Sequence, residues 1–375
     1  MRRNRVTATA AALAGWVVLV AAAGACDSSS SDSDADSSAA ESAADLGGME
    51  GLVQAAQEEG TLNVIALPPS WANYKEMIKV FSEKYDIRVV SRQPDASSQE
   101  EINAAKQLVG TDRAPDVFDL GLNVALVNTD LFAPYKVSQW KNIPQNLKDP
   151  DGRWTSDYGG YMSIGYDESK VPAPASVQDL LKPEYKGKVV LNGDPTQSAS
   201  AFYAVITAAL ANGGSADDIA PGVEFFAELK KRGNLLPVNP TPATISSGQT
   251  PVVFDWDYLN TASAVQFAEK TDYKVMIPEN AVLGSYYVQA INKEGPNPAA
   301  ARLWQEFLFS EEGQNIYLNG YARPVRLEQM VKDGTVDKKA YSALPAVKGT
   351  PVFLTSEQVE SARKYLSENW ANAVG

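Results

Sequence analysis

Between Leu62 and Gly121 short apolar runs alternate with helical patterns, and this alternation restricts the fold more than any other feature of the sequence. Leu62-Asn-Val-Ile-Ala-Leu67 reads as a strand stopped by Pro68-Pro69, preceded by a short helix, Leu52 to Glu59, that ends at Gly60. Tyr74 to Tyr85 carries Met77, Ile78, Phe81 and Tyr85 on one face, as an amphipathic helix does. Ile87-Arg-Val-Val90 is the next strand, Glu100 to Val109 the next helix, and Asp116-Val-Phe-Asp-Leu120 a third strand. The β-α-β-α-β order predicts a parallel sheet with crossover helices.

A second α/β unit follows the passage Tyr158-Gly-Gly-Tyr-Met-Ser-Ile-Gly-Tyr166. It contains the strand Lys188 to Leu191, helices over 199–211 and 222–232, and strands at Pro251 to Phe254, Lys274 to Ile277 and Tyr286 to Ile291. Asn297-Pro298 opens a helix, with Asn as cap and Pro at the first helical position. Thr355-Ser-Glu-Gln358 forms a capping box ahead of a last helix with Val359, Ala362, Leu366 and Trp370 on one side.

At 375 residues the chain is about twice an ordinary single domain, so two lobes with a sizeable core are expected. It contains no histidine, which excludes every Ser-His-Asp, Cys-His or histidine-ligated metal site. Cys26 is the one cysteine, so no intramolecular disulfide forms. A net charge of −13 argues against a nucleic-acid partner.

The first 25 residues read as a signal peptide. Arg2, Arg3 and Arg5 precede an uncharged apolar run from Ala10 to Ala25, shorter than the roughly 20 residues a spanning helix needs. The run ends Ala23-Gly24-Ala25-Cys26, which resembles the lipoprotein cleavage box with Ala23 in place of the usual Leu; that resemblance implies lipidation at Cys26. Residues 26–45 are then a lipidated cysteine and an acidic, serine-rich tether, too poor in apolar surface to offset the entropy of ordering. A stable anchor requires more than one acyl chain.

Several short motifs in the body carry a family resemblance: Glu59-Gly-Thr-Leu-Asn-Val64, Pro115-Asp-Val-Phe-Asp119, Leu181-Lys-Pro-Glu-Tyr-Lys-Gly-Lys-Val189, Asp194-Pro195 and Phe307-Leu-Phe-Ser-Glu-Glu-Gly-Gln314. In order and spacing they resemble the extracellular solute-binding proteins of ABC importers, and most nearly the spermidine/putrescine-type branch, which includes ferric-iron and 2-aminoethylphosphonate binders. The resemblance implies an α/β fold, the two-lobed periplasmic-binding-protein fold of type 2, with a hinge of two crossing strands. The first lobe takes residues 46–157, the second 158–287, and the chain returns to the first over 288–375 with its C-terminal helices. It also implies a monomer, held on the extracytoplasmic face of a membrane, that closes on a small solute and docks on an ABC permease. No cofactor or metal is expected.

In open α/β sheets ligands sit beyond the carboxyl ends of the strands. That rule selects Ser70 and Trp71 after the first strand and Asn123 after the third. In the second lobe Thr196 and Ser198 precede a helix start, where free N–H groups attract anions; simple capping is the competing role. Asp255, Trp256 and Asp257 end an apolar strand, at a place where the resembling family carries a Trp near the ligand. Alternation puts the two carboxylates on one face, and a carboxylate pair with an aromatic wall suits a buried ammonium. Tyr286 and Tyr287 on the return crossing, and Tyr161 with Tyr158 on the outgoing one, complete the candidates. The two adjacent tyrosines stand where polyamine binders often carry an acid and resemble the phenolate pair of ferric binders, but alternation points them to opposite faces.

The expected solute therefore bears an amine, as a polyamine or an aminophosphonate does, and a helix-start anion site favours the zwitterion. Ferric iron or another small anion is the alternative within the superfamily. A secreted hydrolase is a remote one: Asp255 and Asp257 lie two residues apart on one strand and cannot flank a glycosidic bond.

Overall fold

The computed structural model describes residues 36–375, so the expectations for the signal peptide, Cys26 and the first part of the tether fall outside the described residues. Residues 36–45 differ from the expected solvated tether. Ala40 and Ala43 are buried, and the Arg302 guanidinium donates to the carbonyls of Ala40 at 2.7 Å and Ser38 at 2.8 Å. A buried guanidinium requires acceptors, and this stretch of backbone supplies them.

Helix α1 (Gly48–Glu59) ends at Gly60, whose φ of 65° suits a residue without Cβ. Strand β1 (Thr61–Ile65), helix α2 (Tyr74–Tyr85) and strand β2 (Arg88–Arg92) form a parallel βαβ unit, with Met77 and Phe81 of α2 in the core. Helix α3 (Ser98–Leu108) begins with a capping box between Ser97 and Glu100. Strand β3 (Val117–Gly121) does not extend the parallel sheet. It leans on β1 through Asp116, whose carboxylate accepts from the Asn63 N–H at 2.6 Å, and pairs antiparallel with a strand from far along the chain. Helix α4 (Leu122–Ala125) and strand β4 (Phe132–Ala133) follow.

Strand β5 (Thr155–Asp167) is followed by β6 (Val189–Leu191), α5 (Ala199–Ala211), α6 (Ala220–Arg232), α7 (Pro242–Ser246), β7 (Val252–Trp256), α8 (Asp257–Gln266) and β8 (Tyr273–Met276). Strand β9 (Leu283–Asn292) leads into α9 (Pro298–Leu308), α10 (Glu311–Asn319), β10 (Arg323–Pro324), α11 (Leu327–Asp333), α12 (Lys338–Ser342), β11 (Val352–Phe353) and α13 (Ser356–Ala373).

The two long strands β5 and β9 organise the molecule. The first half of β5 pairs antiparallel with β9, and its second half pairs with β7 and β8. β3 and β4 flank the other edge of β9, while β6 runs parallel to β7. The expected parallel sheet is thus confined to β1–β2 and β6–β7 among the sequence-predicted strands, because β5 runs against all its partners and β9 against all but the short β11. Gly159 and Gly160 in β5 answer to close approach: a Cβ on Gly159 would lie 2.2 Å from the Ser285 carbonyl oxygen, and one on Gly160 2.4 Å from Asp257 Oδ1.

The C-terminal helix has the predicted capping box at Thr355 and Gln358 and buries Val359, Ala362, Leu366 and Trp370. The start of α9 departs from expectation. Pro298 holds the first position, but Asn297 caps nothing with its side chain; the Glu59 carboxylate accepts from the Ala299 and Ala300 N–H groups at 2.9 and 2.8 Å. An anion at a helix start is favoured by the exposed N–H groups and the helix dipole.

Candidate functional site between the lobes

Trp71 follows β1 in a tight turn with positive φ at Ala72 and Asn73. The turn places its indole against residues from both crossing strands. Its N–H donates to the Tyr158 hydroxyl at 2.7 Å, and its ring stands edge-on to Tyr287 and Tyr258 at 5.6 and 6.1 Å between centroids. Tyr158 and Tyr287 stack in parallel at 5.5 Å, and Trp256 stacks on Tyr258 at 6.3 Å with Tyr203 tilted against it at 5.3 Å. The result is a continuous aromatic wall drawn from the β1 turn, β5, β9, β7, α8 and α5. Edge-to-face and offset pairs of this kind are each worth about 1 kcal/mol beyond their buried area.

The start of α5 abuts this wall. Gly121, at the end of β3, touches Ala199 so closely that a Cβ there would lie 2.3 Å from the Ala199 Cβ. The end of β3 therefore meets α5 at the helix start. No side chain caps α5: Ser198 occupies the cap position, but its hydroxyl donates to the Asn192 carbonyl at 2.8 Å. The first-turn N–H groups have no intrahelical acceptors.

Four buried polar atoms around this junction have no hydrogen-bond partner: Asn123 Oδ1, Ser200 Oγ, Trp256 Nε1 and Tyr258 Oη. Their residues are at most 1% exposed. The Ser200 hydroxyl lies beside the Asp255 carboxylate and the Tyr287 hydroxyl, and the Trp256 N–H beside the latter, yet none of these contacts is a well-formed hydrogen bond. Leaving such groups unpaired costs about 1–3 kcal/mol each, so several gathered at one place call for a physical reason.

The expected carboxylate pair is not a pair. The strand ends at Trp256 and Asp257 begins α8, so strand alternation no longer governs Asp257. Asp255 accepts from the Asn192 amide at 2.8 Å and from the Trp256 N–H at 2.9 Å, and burial pushes its carboxyl up to about 6. Asp257 is fully buried on the other side of the wall. It accepts from the Tyr161 N–H at 2.8 Å and is ion-paired with Arg323. Burial raises its pKa, against the opposing pull of the Arg323 guanidinium.

The remaining candidates divide. Trp71, Asn123, Trp256 and Tyr287 gather at the junction, with Asp255 beside them through its neighbour Trp256. Tyr161 lies under the Arg323 guanidinium, 4.7 Å from its ring centre, and Tyr286 stacks on Phe353 at 6.2 Å, so both belong to the Asp257 side. Tyr286 and Tyr287 do face apart, as alternation requires. Ser70 is exposed in the turn. Thr196 turns its hydroxyl and N–H to Asp194 Oδ1 at 2.6 and 2.7 Å, a local turn. Ser200, Tyr258 and Tyr203 are not among the residues that the sequence singles out. Tyr258 adjoins the Asp255–Asp257 motif, and Ser200 stands two positions beyond the predicted cap. Among the described residues no group of three or more acids or cysteines is placed to hold a metal ion.

Residues 113–346 match the family described as bacterial extracellular solute-binding protein. The sulfate-binding protein of Escherichia coli (strain K12) is 25% identical over 201 residues, 52% of this chain and 57% of that protein. The chain thus spans a little over half the length of the curated relatives it matches. Three solved structures share the fold: the periplasmic binding protein P5PA (TM-score 0.68, 16% identity, 84% of this chain and 100% of that one), iron-bound HitA from Pseudomonas aeruginosa (0.61, 20%, 84% and 99%), and AfuA from Actinobacillus pleuropneumoniae with fructose-6-phosphate bound (0.63, 16%, 84% and 98%). At these identities the likeness establishes the two-lobed fold alone.

Proposed function

Because the chain belongs to the bacterial extracellular solute-binding protein family, we propose that it captures a small solute between its lobes and delivers it to the membrane permease of an ABC importer. The solute of this reading is a compact zwitterion, an amine-bearing oxyanion of the aminophosphonate type. The protein acts as a monomer and as a binding protein rather than an enzyme. Cys26 would anchor it by lipid on the extracytoplasmic face.

One observation carries the choice of solute: the unpaired Ser200 Oγ, Trp256 Nε1 and Tyr258 Oη collect at the uncapped start of α5, with the unpaired acceptor Asn123 Oδ1 beside them to take an N–H of the amine. Hydroxyls, an indole N–H and helix N–H groups are donors suited to an oxyanion. The adjoining faces of Trp71, Tyr158 and Tyr287 suit an ammonium, with the buried acids Asp119 and Asp255 nearby as counter-charge. A polyamine fits less well. Asp257 is already neutralised by Arg323, so the grip of paired carboxylates it would require is lost. Closure brings Trp71 from one lobe onto the α5 start of the other, and the solute drives it by preferring the closed form.

A plain oxyanion is the second reading, favoured by the curated relatives named for sulfate and by the neutral character of the donors. A thermal-shift panel separates the two. We expect 2-aminoethylphosphonate to raise the melting temperature more than phosphate, sulfate, spermidine, putrescine or ferric citrate. Stabilisation by sulfate or phosphate alone would establish the second reading, and stabilisation by the polyamines alone would overturn both.

A further inference from the structure

Behind Trp71 a single hydrogen-bonded chain of side chains runs into the first lobe. The Trp71 N–H donates to Tyr158 Oη at 2.7 Å, and that hydroxyl donates to Asp119 Oδ2 at 2.8 Å. Tyr74 Oη meets the same carboxylate oxygen at 2.9 Å and Tyr317 Oη at 3.2 Å, and Tyr317 Oη meets Asp157 Oδ2 at 2.8 Å. The Gln289 amide donates to Tyr74 Oη at 3.1 Å and to Asp119 Oδ1 at 3.2 Å. Beyond Trp71 every member is buried, Asp157 and Tyr158 completely.

The protons of this chain can be counted. Each phenol carries one. Tyr74 and Tyr317 together hold two, yet three contacts run through them: to Asp119, to each other and to Asp157. For all three contacts to be hydrogen bonds, the third proton must come from one of the two carboxyls. The surroundings agree with the count. Glu101 from α3, Asp157 and Tyr158 from β5, Tyr74 from α2, Tyr258 from α8, Tyr287 and Gln289 from β9, and Tyr317 from α10 face Asp119, and no cation is among them. Burial pushes Asp119 up to about 7 and raises Asp157 as well, with the Asp119 charge adding to the second shift.

We propose that Asp119 and Asp157 share one proton across the Tyr74–Tyr317 bridge, and that Asp119, acting through Tyr158, is the positioning residue that holds Trp71 over the solute. The proposal rests on the reading in which Trp71 faces that solute. With one shared proton every contact is made: protonated Asp157 donates to Tyr317, Tyr317 to Tyr74, Tyr74 and Tyr158 to ionised Asp119, and Tyr158 accepts from Trp71. Loss of the proton leaves one oxygen pair with no hydrogen between them and two carboxylates facing each other in one interior. The chain then loosens, and Trp71 with it. Two interacting acids titrate as a unit, so the transition belongs to the pair.

The test is fluorine NMR on the solute-free full chain labelled with fluorotryptophan, with the Trp71 resonance assigned by Trp71→Phe. The resonance should shift in a transition across the neutral range. Asp157→Asn should remove that transition, since its amide supplies Tyr317 with a permanent donor, and Tyr158→Phe should leave the resonance flat by cutting the link. For a solute that binds, Tyr158→Phe should also speed dissociation roughly fivefold, as the loss of one hydrogen bond would. A flat Trp71 resonance in the unaltered protein, or the same midpoint in Asp157→Asn, overturns the proposal. Failure of every amine-bearing oxyanion to bind would instead overturn the proposed solute, while the solute-free titration would still decide whether the two acids share a proton.

Discussion

Arg323 and Asp257, 66 residues apart in sequence, form an ion pair across the molecule, with Asp257 wholly buried and the Arg323 side chain 11% exposed. The same guanidinium lies over the Tyr161 ring and donates to the Pro345 carbonyl at 3.0 Å. One arginine thereby ties the C-terminal segment to β5 and to the start of α8, and it supplies the counter-charge of Asp257.

Asp257→Ala should destabilise the protein by about 3–5 kcal/mol, because a nearly buried guanidinium is left without its counter-ion. Asp257→Leu combined with Arg323→Met should recover most of the loss, since two apolar groups of similar volume need no compensation. Denaturant unfolding of the three proteins measures both effects. A melting temperature untouched by Asp257→Ala would restore that carboxylate as a ligand of the solute.

Ser200→Ala should behave in the opposite way. Its buried hydroxyl makes no well-formed hydrogen bond, so its removal costs little folding stability, under about 1 kcal/mol. Solute affinity should fall about tenfold, the equivalent of about 1.4 kcal/mol. Calorimetric titration alongside thermal unfolding reads the two together. A drop in both would assign Ser200 to the core.

Acid should stabilise the solute-free protein relative to neutral pH. Burial raises Asp119 and Asp116 to about 7 and Asp255 to about 6, against about 3.9 in an unfolded chain. The folded state binds these protons more tightly, so the contribution is complete below the unfolded value and disappears as pH rises through the folded ones. Melting temperatures recorded from mildly acid to mildly alkaline solution should fall with pH, and Asp255→Asn should flatten the slope near 6. A stability maximum on the alkaline side would contradict this.

Cys26→Ala should release the protein from the membrane fraction into the medium of expressing cells. Retention of the variant on membranes would mean that Cys26 is not the anchor.

Much of the fold was legible because its signals are local. The face of α2 and the capping box at Thr355 and Gln358 depend on residues within one or two turns, and both appear where periodicity and cap chemistry place them. The candidate site was legible in part for the same reason: Trp71, Asn123 and Tyr287 follow or occupy strands whose ends the apolar runs mark. What failed depended on contacts that neither apolar period nor cap chemistry encodes. Alternation paired Asp255 with Asp257, but the strand stops between them and Arg323 claims the second. Ser198 looked like the hydroxyl of the α5 start, but it serves the Asn192 carbonyl, and it is Ser200 whose buried hydroxyl makes no well-formed hydrogen bond.

By itself the sequence determined the succession of strands and helices, the two-lobed class and the exclusion of histidine chemistry, because backbone propensity, apolar period and residue inventory are properties of the chain alone. Only the tertiary structure decided which strands pair, which carboxylates are already neutralised, and that Trp71 is bound through Tyr158 to a pair of buried acids. Those outcomes depend on desolvation and on hydrogen bonds between groups many residues apart, and neither exists until the lobes are packed.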